Sequence, residues 1–205
     1  MGQEISGTGR KVIAAFDFDG TIIKRDSLFV FIWYAVSIKR IVLSTLKVMP
    51  YLVLYKLKVI PNFKAKEKLF TALFKGVSIA DFNTLCKDFA TVIQRIVKPE
   101  ALDKIEWHRQ NGHEIVIISA SVENWIIPWA TLNGIDTVLA TQIQVIEGLI
   151  TGKFLSKNCH GAEKVNRLLQ HLPDRENYVL YAYGDSSGDK DLLQFADHKF
   201  YRVFV

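Results

Sequence analysis

Cysteine is nearly absent from this sequence: only Cys86 and Cys159 occur, and they are far apart in the chain. Two distant cysteines exclude a disulfide framework, and they lack the close spacing of cysteine-based metal sites. Free thiols are typical of a reducing compartment, so we expect a cytoplasmic protein. Internal repeats and low-complexity tracts are also lacking, which argues against a repeat or disordered architecture.

A long uncharged hydrophobic run is missing as well. Residues 27–38 are uncharged but shorter than the roughly 20 residues that a membrane-spanning helix needs. Residues 41–60 are long enough, but three lysines and Pro50 interrupt them, so we expect no span. The first ten residues are polar and rich in glycine. Their Met1-Gly2 start fits an N-myristoylation pattern, but we take this tail as unmodified.

Acidic residues are missing from residues 27–66, although the chain carries 21 Asp and Glu in all. The positive net charge of +5 therefore belongs to this segment, whose basic residues are Lys39, Arg40, Lys47, Lys56, Lys58, Lys64 and Lys66. Cations interleaved with apolar and aromatic residues are typical of helices that lie in a membrane interface. A small helical subdomain with a solvated basic face has the same composition, and both interpretations stay open. No aromatic-basic groove motif indicates nucleic-acid binding.

Apolar strand signals alternate with helical patterns along most of the chain. We predict strands at residues 12–18, 113–119, 137–140, 178–184 and 199–204, and helices at 99–110, 122–132, 161–170 and 190–195. This alternation with short links is typical of an α/β fold, here a doubly wound, mostly parallel, Rossmann-like sheet. Residues 142–154 contain Glu147-Gly148 and Thr151-Gly152 between β-branched residues, which predicts a hairpin excursion.

The alternation is interrupted after the first strand. Residues 26–98 contain no convincing strand, and helical stretches are predicted at 28–38, 41–60, 63–74 and 79–97. We therefore predict a helical insertion at residues 26–98 and a core made of residues 11–25 and 99–205.

The stretch Asp17-Phe18-Asp19-Gly20-Thr21 directly follows a buried apolar strand. Two carboxylates two residues apart on an extended chain point the same way, and Gly20 permits a sharp turn. Acids at the carboxyl end of a strand in an open α/β sheet lie where such sheets bind ligands. Like charges this close need a cation or a shared proton, so the stretch predicts a metal site, an acid/base pair, or both.

Three later segments carry polar residues suited to a phosphate and a cation. Ser119 ends an apolar strand before a helix, where hydroxyl and backbone N–H groups can hold phosphate oxygens. Lys164 lies early in a helix, where a lysine is ordinarily a solvated surface group. Gly184-Asp185 opens a glycine-containing loop that also includes Asp189, and hard carboxylates suit Mg²⁺.

In this order, the four segments resemble the four motifs of the haloacid dehalogenase superfamily, most of whose members are magnesium-dependent phosphatases. The helical insertion is in the position of that family's cap, and the arrangement looks similar to the phosphoserine-phosphatase-like branch, subfamily IB. The resemblance covers nearly the whole chain. It implies a Mg²⁺ cofactor and a phosphorylated small molecule or lipid headgroup as the substrate.

The resemblance also implies roles for individual residues. Asp17 matches the nucleophile that forms an aspartyl-phosphate, and Asp19 matches the acid/base that protonates the leaving alcohol and then activates water. Ser119 and Lys164 match the groups that hold the phosphoryl group, with Lys153 and Lys157 as alternatives to Lys164. The implied metal ligands are Asp17, Asp19 through its backbone carbonyl, Asp185 and Asp189, and the implied substrate-binding residues are Thr21, Asp26, Ala120 and Ser121.

The resemblance leaves several activities open. Asp26 stands where phosphoserine phosphatases carry a Glu that meets the substrate amine, and this departure argues against phosphoserine. The apolar, basic insertion is similar to that of bacterial phosphatidylglycerophosphatases, which implies a lipid-linked phosphate at the inner face of the membrane as an alternative. A phosphomutase shares the first motif. A dehalogenase has no use for Asp19, and a non-enzymatic binding protein has no need of all the charged positions.

Overall fold

The computed structural model describes residues 9–204, so the Met1-Gly2 start lies outside the described residues. The strands are β1 (Lys11–Phe16), β2 (Glu114–Val122), β3 (Thr137–Thr141), β4 (Ile143–Ile146), β5 (Leu149–Phe154), β6 (Tyr178–Gly184) and β7 (His198–Tyr201). Five of them form a sheet in the order β3-β2-β1-β6-β7, in which all neighbours are parallel. The predicted α/β fold with a mostly parallel sheet is confirmed.

The helices are α1 (Ser27–Ala35), α2 (Ile38–Lys56), α3 (Asn62–Phe74), α4 (Ile79–Ile96), α5 (Pro99–Gln110), α6 (Glu123–Leu132), α7 (Ala162–His171) and α8 (Lys190–Phe195). They cover both faces of the sheet, because alternate side chains of β1 enter two separate cores. Ala14 and Phe16 pack with residues of α5, α6 and the insertion, whereas Ile13 and Ala15 pack with residues of α7 and α8. The sheet is therefore doubly wound, as predicted.

The observed bounds differ from the predicted ones beside the candidate site and also in the insertion and the last strand. Helix α1 ends three residues before its predicted end, α2 is shifted three to four residues toward the N-terminus, and β7 ends at Tyr201 instead of residue 204. Helices α5 and α8 and strand β6 have the predicted bounds. Strand β1 ends at Phe16, two residues early, because the chain turns into the loop that holds Asp17 and Asp19. Strand β2 runs to Val122, three residues beyond its predicted end, and its pairing with β3 is irregular after Ile118.

Strand β1 lies in the middle of the sheet, with β2 and β3 on one side and β6 and β7 on the other. The order of the strands therefore reverses at β1. Open α/β sheets bind ligands outside the carboxyl ends of their strands at such a switch point. The residues that follow β1 and β6 and the last residues of β2 meet at this edge.

The insertion consists of helices α1 to α4, which bury a cluster of aromatic rings. Phe31 of α1 contacts Phe74, Phe82 and Phe89, with ring centroids 5.1 to 5.7 Å apart. Trp125 of α6 stacks on the same Phe31 at 4.8 Å, so the apolar core continues from the sheet into the insertion. Among the residues that the structure describes, no helix is both long and apolar enough to cross a membrane.

The predicted hairpin is formed by β4 and β5, with Glu147 and Gly148 at its turn. Gly152 lies within β5 rather than in a turn, and a Cβ atom there would come within 2.7 Å of the Cα of Thr71 in α3. The Thr71 hydroxyl donates to the Gly152 carbonyl at 2.7 Å, so the hairpin packs closely against the insertion. The division into a core of residues 11–25 and 99–205 and a cap of residues 26–98 stays a prediction.

Candidate active site

Asp17 lies at the carboxyl end of β1, where its side chain is almost completely buried. Its backbone N–H donates to the Tyr183 carbonyl at 2.9 Å, which continues the pairing of β1 with β6. The Thr21 hydroxyl donates to Oδ2 of Asp17 at 3.2 Å and lies 3.5 Å from Oδ1 of Asp185. Thr21 therefore links the loop after β1 to the loop after β6.

Gly20 is required by the close approach of these two loops. Its φ of +81° lies in the left-handed region, which side chains other than glycine rarely adopt. A Cβ atom at this position would also collide with the carboxylate of Asp185. The absence of a side chain at Gly20 thus lets Asp185 approach the loop that carries Asp17.

Lys164 extends from the first turn of α7 into the same buried edge, with 2% of its side chain exposed. Its Nζ atom donates to Oδ1 of Asp17 at 2.5 Å, to Oδ1 of Asp189 at 2.6 Å and to the Ile118 carbonyl at 2.9 Å. Burial alone would lower the pKa of Lys164, but the two carboxylates raise it above its ordinary value. Lys164 is therefore the cation of this site, whereas Lys153 and Lys157 are exposed.

Asp189 organises the loop that follows β6. Its Oδ2 atom accepts hydrogen bonds from the backbone N–H groups of Asp185 (3.2 Å) and Ser186 (2.9 Å), and from the Ser186 hydroxyl (2.8 Å). Burial would raise the pKa of Asp189, but Lys164 and these donors hold it below its ordinary value. Asp189 thus remains ionised and shapes the loop that presents Asp185.

Three acids of this edge suit a divalent cation. Asp17, Asp185 and Asp189 each offer a carboxylate oxygen within 4.8 Å of the others. Burial raises the pKa of Asp17 to about 7 although Lys164 acts in the opposite direction, and burial followed by Asp189 raises the pKa of Asp185. With all three acids ionised, these acids and Lys164 together carry a formal charge of −2, which Lys98 and Arg202 near Asp185 offset in part. Hard oxygen ligands and this deficit of positive charge fit Mg²⁺.

The carboxylate of Asp19 lies outside this three-acid cluster and is held by hydrogen bonds from the insertion and from β2. Its Oδ1 atom accepts the backbone N–H of Ser27 at 2.7 Å, and its Oδ2 atom accepts the Ser121 hydroxyl at 2.5 Å. Burial, followed by the nearby Asp26, raises its pKa, and the bonds from Ser121 and Ser27 oppose this increase. Both carboxylate oxygens are thus held by donors.

The hydroxyl of Ser121 belongs to a short chain of buried hydrogen bonds. The indole N–H of Trp125 donates to the Ser27 hydroxyl at 3.0 Å, and this hydroxyl donates in turn to Ser121 at 3.0 Å. Ser121 then donates to Asp19. The three donors have exposed fractions of 3% or less, so solvent does not compete for them. This chain fixes the orientation of the Asp19 carboxylate.

The remaining predicted site residues have identifiable local contacts. The Ser119 side chain is fully buried near the end of β2, and its Oγ atom accepts the backbone N–H of Ser121 at 3.1 Å. The Ala120 carbonyl accepts the hydroxyl of Thr141 at 3.0 Å. Asp26 is the N-cap of α1, where its Oδ1 atom accepts the backbone N–H of Leu28 at 3.0 Å, and its Oδ2 atom lies 3.6 Å from Nζ of Lys66. Their proposed roles toward phosphate and substrate stay predictions.

Sequence reasoning missed four residues that support the site. Ser27 and Trp125 orient Asp19, as described above. Lys98 donates from Nζ to the Gly20 carbonyl at 2.7 Å, and Arg202 donates from Nε to the Asp185 carbonyl at 2.7 Å. The contacts of Lys98, Trp125 and Arg202 span 17 to 98 residues, so no local spacing could reveal them. Ser27 is eight residues from Asp19, but it binds through its backbone N–H, which the identity of the residue does not reveal.

Comparison with known proteins agrees with this arrangement. A family model described as haloacid dehalogenase-like hydrolase matches residues 14–194. Protein CicA of Caulobacter vibrioides is 31% identical over 196 residues, which cover 94% of this chain and 86% of that protein. A probable phosphatase of Mycobacterium tuberculosis is 30% identical over 132 residues, which cover 62% of this chain and 45% of that protein.

A crystal structure of phosphoserine phosphatase in its apo form shares the fold. It matches with a TM-score of 0.60 and 18% identity, over 94% of this chain and 86% of that chain. Since the family model spans most of the chain and CicA is similar over nearly all of it, the chain belongs to the haloacid dehalogenase-like hydrolase family.

Proposed function

We propose that the protein is a Mg²⁺-dependent phosphatase that hydrolyses a phosphomonoester through an aspartyl-phosphate at Asp17. The observation that carries this proposal is the cluster of the buried Asp17 and Asp189 with the partly buried Asp185, in which three carboxylates outnumber the one lysine, Lys164, that pairs with Asp17 and Asp189. The family membership and the probable phosphatase among the relatives support the same reaction class. Phosphoryl transfer needs mainly positioning and charge neutralisation, and this edge of the sheet provides groups for both.

In the first step, the carboxylate of Asp17 attacks phosphorus and forms an acyl-phosphate bond. The bond from phosphorus to the leaving alcohol breaks, and Asp19 donates a proton to that oxygen. In the second step, Asp19 takes a proton from water, and the water oxygen attacks phosphorus and releases Asp17. Asp19 suits both steps because burial raises its pKa, which favours a protonated form for the first step.

Lys164 binds and orients Asp17 throughout, and it offsets charge on the phosphoryl oxygens. Asp17, Asp185 and Asp189 would hold Mg²⁺, together with the backbone carbonyl of Asp19 that the resemblance indicates. A bound Mg²⁺ would supply positive charge to the phosphoryl group. Since both Asp189 oxygens already accept hydrogen bonds, its main contribution is to hold the loop that carries Asp185.

The substrate class follows from the insertion and from Asp26. Asp26 is engaged as a helix cap and faces Lys66, which disfavours it as a ligand for a substrate amine. We therefore expect a phosphomonoester other than phosphoserine. A lipid-linked phosphate is the second candidate, because the insertion exposes apolar side chains beside unopposed cations. With its two buried free thiols, the protein is proposed to act in the cytoplasm.

The test is a substrate panel assayed for phosphate release with Mg²⁺ and with EDTA, including phosphoserine and phosphatidylglycerophosphate. We expect release that requires Mg²⁺, and no transfer of phosphate between positions of a sugar, which would indicate a mutase. The variant Asp185→Asn should lose this activity. Asp191→Asn, an exposed acid of the neighbouring helix, is the matched control and should keep it.

A second readout does not depend on finding the substrate. Mg²⁺ should raise the melting temperature of the wild-type protein, because a ligand that binds only the folded state stabilises it. The same addition should have little effect on Asp185→Asn. Activity that survives EDTA, or equal stabilisation of both proteins, would contradict the proposed metal site.

A further inference from the structure

The outer side of α1 and α2 presents an apolar surface to solvent. Five residues of α2 follow one another at spacings of three or four, so they lie along one side of the helix. With Trp33 of α1, they define what we call the outer face: Trp33, Ile38, Val42, Leu46, Met49 and Val53. Their exposed fractions range from 43% for Met49 to 66% for Ile38. Exposed apolar side chains gathered in this way mark a binding surface.

The outer face is separate from the core of the insertion. Helix α2 is 19 residues long, yet it buries only Ser44 and Val48. The core of the insertion is instead formed on the other side by Phe31 and its aromatic neighbours, which are fully buried. After α2, Leu57 and Val59 are also exposed, at 67% and 66%, on either side of Lys58. Helix α2 therefore directs most of its apolar side chains away from the protein.

The charges around the outer face have one sign. Residues 27–66 contain seven basic residues and no acidic one. Among the salt bridges of the described residues, only Lys66 of these seven has a carboxylate partner, Asp26, at 3.6 Å. Lys39 and Lys47 lie on α2 itself, within one or two residues of apolar positions of the outer face. The binding partner of the outer face must therefore present both apolar groups and negative charge.

We propose that the outer face binds an anionic lipid bilayer, with α2 lying in the plane of the interface. Apolar side chains then enter the boundary between headgroups and acyl chains, and the lysines meet anionic headgroups. A second copy of the chain fits less well, because a symmetric contact would place these cations opposite the same cations. The bilayer satisfies both the apolar and the charged parts of the surface.

The position of α1 connects this surface to the candidate active site. The helix begins at Ser27, whose backbone N–H binds Asp19, and Trp33 lies six residues further on, about 9 Å along the axis. A bilayer that contacts Trp33 therefore lies near the edge of the sheet that holds the candidate active site. If the proposed function holds, the substrate is a phosphomonoester presented at a membrane surface. The binding of the bilayer itself does not depend on that function.

The test is co-sedimentation of the purified chain with vesicles of phosphatidylcholine, with and without phosphatidylglycerol. We expect binding to the anionic vesicles that weakens as salt is added, since salt screens exposed charges. The double variant Lys39→Gln/Lys47→Gln should bind about 25-fold more weakly, at about fivefold for each lysine. The double variant Val42→Ser/Leu46→Ser should lose more than about tenfold. Leu132→Ser and Leu155→Ser remove exposed leucines outside the insertion and should bind like the wild type.

Two further measurements separate the possible failures. The surface variants should keep wild-type hydrolysis of a soluble phosphomonoester, which shows that they fold. Asp17→Asn should bind vesicles normally, so a wrong catalytic assignment would leave the membrane result intact. Equal sedimentation with neutral and anionic vesicles would overturn the proposal. So would a dimer, detected by sedimentation velocity, that Val42→Ser/Leu46→Ser dissociates, because a second copy would then occupy the outer face.

Discussion

The edge of the sheet that holds the candidate active site and the outer face of the insertion are opposite in their physical chemistry. At the edge, ionised groups are buried, and Lys164 and Asp189 form hydrogen bonds with their neighbours at 2.5 to 3.2 Å. On the outer face, apolar side chains are exposed and the surrounding cations have few partners. Each arrangement is costly for an isolated folded chain, because buried charge and exposed apolar surface both oppose stability.

Each region therefore needs a binding partner that offsets its cost in stability. The edge requires positive charge, and the outer face requires an apolar phase with negative charge. The two regions meet at α1, which begins at the Asp19 carboxylate and carries Trp33 toward solvent. The proposed reaction therefore takes place where a bound cation and a membrane-borne anion come together.

The largest effect is expected from the nucleophile. Asp17→Asn removes the carboxylate that we propose forms the covalent bond while preserving its shape, so kcat should fall by about 10⁴-fold or more. Steady-state release of phosphate in the presence of Mg²⁺ measures this. Asp191→Asn serves as the control, because that carboxylate is exposed and should leave kcat unchanged. Turnover by Asp17→Asn at a wild-type rate would show that Asp17 is not the nucleophile.

Lys164→Met should have the next largest effect, now on stability as well as on activity. It leaves Asp17 and Asp189 buried without their shared cation, and breaking a buried ion pair costs about 3 kcal/mol or more. Urea unfolding at neutral pH without Mg²⁺ measures the loss. Lys157→Met, at an exposed lysine, should unfold like the wild type. Equal stability of the two variants would show that the buried charges need no partner.

A smaller effect is expected from the chain of hydrogen bonds that orients Asp19. Trp125→Phe removes the donor to Ser27 and should lower kcat about tenfold, with little change in KM, because Asp19 would sample unproductive orientations. Trp129→Phe is a matched control, since that indole is equally buried but donates to Gln94 instead. Ser27→Ala should reproduce the effect of Trp125→Phe. Identical kinetics of Trp125→Phe and Trp129→Phe would show that Trp125 contributes only packing.

The smallest effect concerns pH and a buried histidine under the edge. His108 lies between His113 and the hydroxyl of Tyr183, and burial lowers its pKa from 6.5 to about 3. Between these values the unfolded chain binds a proton that the folded chain excludes, so stability rises with pH and is lost as pH falls below 6.5. His108→Gln should flatten this part of the stability profile, measured by urea unfolding at several pH values. An unchanged slope in His108→Gln would contradict this account of the buried histidine.

The order of elements and the position of the acids were readable from the sequence for local reasons. Strand β6 has its predicted bounds because seven mostly apolar residues end at a glycine, and Asp185 follows it directly. Asp17, Lys164, Asp185 and Asp189 meet at one edge because parallel strands place their carboxyl ends together. The basic, apolar character of the insertion was equally visible, since it is a property of composition.

Long-range contacts were beyond sequence reasoning. Ser27 and Trp125 are separated by 98 residues, and nothing in either neighbourhood indicates that they share a hydrogen bond. The residues 151–152 were read as a turn signal, whereas Gly152 serves the close packing of β5 on α3. Strand β2 extends beyond its predicted end because its last residues still pair with β3. This constraint is set by the neighbouring strand.

The central claim is most directly tested by trapping the covalent intermediate. The wild-type protein is mixed with Mg²⁺ and an active phosphomonoester, quenched during turnover, and treated with borohydride, which reduces an acyl-phosphate to an alcohol. Mass spectrometry of the peptides should then find residue 17 converted from aspartate to homoserine, and the conversion should disappear without substrate. Turnover with no reduced residue, or with reduction at Asp19 or Asp185 instead, would contradict the assignment of Asp17 as the nucleophile.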